Sequence, residues 1–386
     1  MAEDRVDPKA YLETPPEERG IEGFEDLSPQ ERDVLLRVGI DPGGEGRSGS
    51  FFQCDHRVVA CGVQEEGVEV LPISMALDRY GLEEYWWRVV DPDKDAFTRR
   101  ALEHQEEGYF IRSHPGAKVT YPLQACLYIS VDRLAQDVHN VIIAEEGSEL
   151  HVITGCATAP HVRSGLHVGI SEFYVKRGAR LIFTMIHNWP EEMAVRPRTG
   201  ILVEEGATFI SNYVCLMPAE DLQSYPTAFL MGKGGVATFQ SVLLATPGSL
   251  MDVGARAVLE AEGTRAEVVS RNVSTGGRII ARGHLVGEAT GVRGHLECRG
   301  LMLSPEGLIH AVPELEARVA GVELSHEAAV GKIAREEIEY LMARGLSEEE
   351  ATSLIIKGFL SLEIEGLPPS LKEDLDKIIA ETEKAL

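Results

Sequence analysis

Three side chains in the last third of the 386-residue chain bring unlike donors together: Cys298 in LECRGL, and His326 and Glu327 in SHEAAV. A thiolate, an imidazole and a carboxylate suit iron or zinc, and Arg299 beside Cys298 favours the thiolate. The same residues also fit a buried Cys298 and a structural His326. One chain offers too few convergent thiolates for a four-cysteine cluster, so a metal site here implies mixed, labile coordination or a site shared between two chains. Cys156 is a separate candidate. It lies in ITGCATAP, which reads as a Gly-containing turn, and an accessible thiol there suits a sulfur-carrying nucleophile of the persulfide type; an inert buried thiol is the other account. Cys126 and Cys215 sit in apolar runs and read as core. Cys54 and Cys61 flank a strand, with no second pair to complete a metal site. His187-Asn188-Trp189-Pro190 is a polar and aromatic cluster that reads as a turn ending a strand. There is no P-loop, GxSxG, HExxH or strand-flanked GxGxxG, so nucleotide hydrolysis by this chain is not expected.

The elements that must position these residues emerge from self-comparison. IIAEEGSELHVI (142–153), FYVKRGARLIF (173–183), ILVEEGATFIS (201–211) and VLEAEGTRAEVV (258–269) share one pattern, with looser copies at 110–120, 229–239 and 284–296. The pivotal glycines, 116, 147, 178, 206, 234, 263 and 291, are spaced by 31, 31, 28, 28, 29 and 28 residues. A period near 30 indicates a repeat architecture. The flanks alternate apolar and polar residues and are rich in Val, Ile and Phe, which is strand patterning, and the glycine allows a left-handed turn between strands. The period is short for a propeller blade and lacks a leucine ladder, so the reading is a mainly β fold with a β-helix or similar β-solenoid at its centre.

The flanks differ. Residues 1–40 read as helical and loosely attached, with a capping box at Ser28-Pro29-Gln30-Glu31 and Gly39 as the stop. Residues 41–50 read as a linker, 51–71 as short strands and 74–107 as helices. After Ser325 the pattern turns helical, with a stop at Gly345, a second capping box at Ser347 and Glu350, a break at Pro368-Pro369 and a last amphipathic helix over 371–386. The expected division is 1–107, 108–318 and 319–386.

Composition excludes several functions. A net charge of −25 argues against nucleic acid and against anionic membranes as partners. Six scattered cysteines without a CxxC pair do not make a disulfide framework, which favours a reducing, cytoplasmic setting. The acidic, Pro-rich start lacks the apolar core of a signal peptide, and the longest uncharged run, 234–251, is broken by Gly and Pro. A carbohydrate-active β-helix enzyme would need acids clustered along one solenoid face, and none are seen.

The blocks VIIAEEGSELHVITGCATAP, SGLHVGISEFYVKRGARLIFTMIHNW, LECRGLMLSPEGLIHAVPELEA and LSHEAAVGKIAREEIEYLMARGLSEEEATSLIIKGF resemble, in order and spacing, the SufB/SufD family of the SUF iron–sulfur cluster assembly machinery. The resemblance spans roughly residues 75–385. It implies a right-handed parallel β-helix core between helical N- and C-terminal regions. It also implies a homodimer or a SufB/SufD-type heterodimer through that core, and binding of an ABC-type ATPase, SufC, through the C-terminal helices. Residues that match the SufB-like motifs are Cys156, the expected sulfur acceptor, and Cys298, His326 and Glu327, the expected ligands of a transient iron–sulfur cluster. The Ser before His326 is SufD-like and the Glu after it SufB-like, so a SufD-like structural subunit without its own cluster site is the alternative. The family's tunnel-lining Gln-Asn-Trp appears as His187, Asn188 and Trp189, its Arg-x-Asn as Tyr128-Ile129-Ser130, and its tunnel Lys has no clear counterpart near Arg196 and Arg198. The short N-terminal stretch carries no flavin site over from longer relatives.

Overall fold

The computed structural model describes residues 5–16, 20–104, 107–217 and 219–360. The N-terminal part holds α1 (Pro29–Arg37), β1 (Gly49–Cys54), β2 (Arg57–Val63), β3 (Val68–Pro72), α2 (Ile73–Tyr80) and α3 (Ala96–His104). From Tyr109 the chain winds as a solenoid of two facing sheets. Sheet I receives β5 (Leu123–Ile129), β7 (Glu149–Thr158), β9 (Arg180–Asn188), β12 (Thr208–Met217), β15 (Val236–Ala245), β17 (Arg265–Ser274), β19 (Arg293–Met302) and β21 (Glu323–Gly331). Sheet II receives β4 (Tyr109–Ser113), β6 (Ala135–Ala144), β8 (Ser164–Val175), the half-strands β10 (Glu192–Val195) and β11 (Arg198–Val203), the half-strands β13 (Asp221–Ser224) and β14 (Thr227–Leu230), then β16 (Leu250–Leu259), β18 (Arg278–Gly287) and β20 (Leu308–Ala317). Successive coil strands pair in parallel in both sheets. The half-strands part at Pro197 and Pro226, where a residue without an N–H cannot continue a ladder.

The turn glycines set the winding. All seven adopt positive φ, from 63° to 74°, and an eighth, Gly321 at 79°, extends the series by one coil. Five of them donate their N–H to the carbonyl just before the next coil's glycine, Gly116 to Glu146, Gly147 to Arg177, Gly178 to Glu205, Gly206 to Lys233 and Gly234 to Glu262, at 2.8–3.1 Å. The corner is therefore hydrogen-bonded along the stack as the strands are. Between the sheets lies one continuous core. Phe173, Phe183, Phe209 and Phe239 form a file in it, with ring centroids 4.6–6.1 Å apart; each stabilises the fold by about 1.5–3 kcal/mol through burial.

Three expectations change. The N-terminal segment is firmly seated, since Leu35, Val38 and Ile40 are fully buried against the outer face of sheet I. The capping box forms as expected, and its Glu31 is itself buried and accepts a hydrogen bond from Tyr128 Oη at 3.1 Å. ITGCATAP is strand, not turn: Gly155 and Cys156 lie within β7. The glycine serves close packing, because a Cβ on it would stand 2.5 Å from Ile40 Cγ1 and 2.8 Å from the Val38 carbonyl. The helical switch comes later than expected as well. The coil opened by Gly321 places His326 and Glu327 on β21, paired with β19. The first C-terminal helix, α4 (Arg335–Met342), follows, and then α5 (Glu348–Leu360), capped by Ser347 and Glu350 as expected. Ala351 of α5 is buried, and Ile356 is buried in the cluster that holds Leu301 and Leu303. The Pro368-Pro369 break and the 371–386 helix lie outside the described residues. No described helix is long and apolar enough to cross a membrane.

Two glycines separate the two requirements. Gly206→Ala should cost about 1 kcal/mol, from φ alone, because nothing lies within 4 Å of the added methyl. Gly155→Ala should cost about 2–3 kcal/mol by displacing Val38 and Ile40. Urea unfolding midpoints of the two variants check the order.

Candidate functional site

Parallel in-register stacking turns sequence period into columns of side chains. Cys156, His187 and Cys215 occupy one column on β7, β9 and β12, as direct register partners. Each stands nine residues after its coil's turn glycine, Gly147, Gly178 and Gly206. All three face the interior and are buried, at 1%, 2% and 0% exposure. Two residues earlier on each strand runs a second interior column, Thr154, Met185, Tyr213, Ser241, Ser270 and Cys298, in unbroken register.

The columns are linked at His187. Its Nδ1 lies 3.0 Å from Tyr213 Oη, with the two rings edge to face at 5.2 Å. Trp189 turns inward from the end of β9 and packs against His187 and against His167 of β8, at centroid distances of 5.4 and 5.2 Å. His167 Nδ1 is 3.0 Å from Gln136 Oε1. His187 Nε2 and Trp189 Nε1 are buried without a hydrogen-bond partner, an arrangement that carries a penalty of about 1–3 kcal/mol per group. Toward the other end, Met185, Tyr213, Ser241 and Ser270 line a cavity of about 40 Å³, bounded on sheet II by Thr199 and Ser224. That volume has room for roughly three water molecules. One polar side chain per strand thus leads from Cys156 through His187, Tyr213, Ser241 and Ser270 to Cys298. The path crosses five inter-strand steps, about 24 Å at the usual spacing.

Burial dominates the electrostatics. It pushes the Cys156 thiol far above its ordinary range and Cys215 up to about 12. It holds His167 down at about 4 and His187 well below the usual imidazole value, with His167 adding to the effect. Both imidazoles are therefore neutral near pH 7. Cys298, half-buried, is also raised by desolvation, against the opposing effects of Ser270 and the Arg271 charge. Asn272 Nδ2 lies 3.7 Å from Cys298 Sγ and donates to Ser270 Oγ at 3.1 Å.

The expected metal ligands are not brought to one point. Strand alternation puts His326, the register partner of Leu296, on the inner side with Cys298, and Glu327 on the outer face opposite Glu297. Glu327 is 58% exposed and lies 3.5 Å from Arg299, which also pairs with Glu297 at 2.8 Å. Arg299 therefore does not serve the Cys298 thiol as its sequence adjacency suggests; the cation acting on it is Arg271. Among the described residues of one chain, no three His, Cys, Asp or Glu side chains converge as a metal site. Cys54 is buried and Cys61 exposed, and neither forms a disulfide. Asn188 is the last residue of β9.

Sequence reasoning passed over Tyr213, Ser241, Ser270 and His167, while Cys215 is buried in the core as expected. The signal for most of these was present: Tyr213, Ser241, Ser270 and Cys298 each fall seven residues after Gly206, Gly234, Gly263 and Gly291. His167 belongs to the opposite sheet and carries no such mark.

Neutral buried histidines have a consequence for stability. A folded value below the unfolded one means that the unfolded chain binds more protons between about pH 6.5 and 4, so stability falls as pH drops through that window. His167, at about 4 against 6.5, should by itself remove about 2 kcal/mol between pH 7 and pH 5. Urea titrations at the two pH values, with His167→Asn losing that share of the pH dependence, check it.

Comparison with known proteins bears on all of this. Residues 128–359 match the SufBD core domain of the SUF system for FeS cluster assembly. An iron–sulfur cluster assembly SufBD family protein of Archaeoglobus fulgidus is 52% identical over 358 residues, covering 92% of this chain and 96% of the relative. One from Methanothermobacter thermautotrophicus is 50% identical over 354 residues, 90% of this chain and 86% of that protein. The iron–sulfur cluster assembly protein SufB of Bacillus subtilis is 28% identical over 377 residues, 94% and 80% of the two chains.

Proposed function

The chain belongs to the SufBD family of iron–sulfur cluster assembly proteins, and from that premise we propose that it is a SufB-like scaffold on which the cluster is built. Sulfur enters at Cys156 and the cluster forms around Cys298. The observation that carries this reading is the unbroken file of one polar side chain per strand between the two cysteines, inside a solenoid whose interior is mainly apolar. Burying hydroxyls and imidazoles there is unfavourable for the fold alone. The cluster is cargo: mixed thiolate, imidazole and carboxylate hold ferrous iron weakly enough to release it.

A ligand set shared between two chains accounts for Glu327 facing away from Cys298. The open end of the solenoid supports a dimer there. β20 and β21 are the last strands of their sheets and leave Leu308, Leu315 and Val330 exposed. The α4–α5 hairpin, with Tyr340, Met342 and Leu354 exposed, suits the docking of an ABC-type ATPase, which supplies the nucleotide hydrolysis that no motif in this chain provides. A reducing cytoplasm suits the free thiols.

Anoxic reconstitution with ferrous iron, sulfide and the cognate ATPase tests this. Wild-type protein should gain sulfide-to-iron charge-transfer absorbance and co-elute with the ATPase. Cys298→Ala should lose the absorbance while keeping its unfolding midpoint, and Cys156→Ala should lose cluster formation only when a persulfide donor replaces free sulfide. A Cys298→Ala protein that builds cluster at the wild-type rate would rule out the scaffold assignment and favour the SufD-like alternative.

A further inference from the structure

Cys156 poses a chemical difficulty. A thiolate is needed to attack a sulfane sulfur, yet this thiol is fully buried among apolar side chains and held in its protonated form. Nothing cationic lies against it; its register partners are Leu127 on β5 and His187 on β9, on strands about 4.8 Å to either side. The imidazole is uncharged, buried and oriented through Nδ1 by Tyr213, and its Nε2 has no partner. A thiol, a neutral imidazole on the adjacent strand and a hydroxyl orienting that imidazole are the parts of the nucleophile, base and orienter arrangement of activated cysteines, although Nε2 and the thiol are not hydrogen-bonded at rest.

We propose that His187 is the general base for Cys156 and that Tyr213 is the positioning residue that holds it for this role. The proposal rests on the reading of Cys156 as the sulfur acceptor and adds how that thiol is made reactive. With Nδ1–H donating to Tyr213 Oη, Nε2 is the bare nitrogen and takes the proton from the Cys156 thiol. The sulfur then attacks the outer sulfur of a donor persulfide. A new S–S bond forms on Cys156, the donor's S–S bond breaks, and the donor's leaving sulfur takes the proton back from His187. Electrons and protons balance without an oxidant or reductant. The titratable groups facing His187 are Cys156 from β7, Tyr213 and Cys215 from β12 and His167 from β8, none of them charged near pH 7. The depressed basicity of the imidazole keeps Nε2 bare down to mildly acidic pH.

The test uses the full-length protein and glutathione persulfide under anoxic conditions. Persulfide on Cys156 is read as the mass shift of its alkylated peptide between pH 6 and pH 9. Wild type should react at a rate nearly independent of pH. His187→Gln should be about 100-fold slower at pH 7 and accelerate tenfold per pH unit as solvent takes over deprotonation. Tyr213→Phe, which keeps the ring and removes the hydroxyl, should be about 10-fold slower with the flat profile retained. Unfolding midpoints confirm that both variants are folded. If His187→Gln reacts at the wild-type rate with the wild-type profile, the base assignment is overturned. If Tyr213→Phe is unaffected, its positioning role is overturned. If wild-type Cys156 takes up no sulfane sulfur at all, the sulfur-acceptor reading itself falls.

Discussion

One constraint underlies the molecule: a left-handed residue at the same corner of every coil. Eight glycines supply it, and each L-residue in their place would carry a penalty of about 1–2 kcal/mol. Because the corners also hydrogen-bond to one another, successive coils cannot slip in register. A one-residue slip would turn every inward side chain outward. The interior columns exist because the corner forbids that slip.

Register makes the site. Cys156 and His187 are 31 residues apart in the chain and direct neighbours in space; Ser270 and Cys298 are 28 apart and likewise adjacent. The interior places polar groups where water has little access. There, desolvation decides protonation: thiols are held protonated and imidazoles neutral. Reactivity in such a place depends on which neighbour can take a proton, and the ladder supplies that neighbour.

The outer faces carry the other half of the design. The N-terminal segment lies directly behind Cys156, with Val38 and Ile40 over Gly155, and Glu172 anchors residues 87–89 by accepting three backbone N–H groups at 2.6 Å. These contacts cover sheet faces that alternation makes half apolar. Among the described residues this cover thins toward β21, where Leu308, Leu315 and Val330 are exposed.

Much of this was legible in the primary structure. The glycine period and the alternating flanks specified a β-solenoid, because both follow from local sterics and hydrophobic patterning, and the family resemblance added that its strands run parallel. Both capping boxes were legible for the same reason. The identities of Cys156, Cys298, His326 and Glu327 as candidates came from residue chemistry and family likeness. Tertiary structure alone decided what touches what. Gly155 reads as a turn until Ile40, 115 positions away, is seen to press on it. His326 and Glu327 read as a helix start until Gly321 is seen to open one more coil, and pairing with β19 then outweighs their local helical preference. Adjacent in the chain, they part to opposite faces because strand side chains alternate. Tyr213 and His187, 26 residues apart, meet because two coils stack. Composition can supply a base and a thiol; only long-range register can bring them face to face.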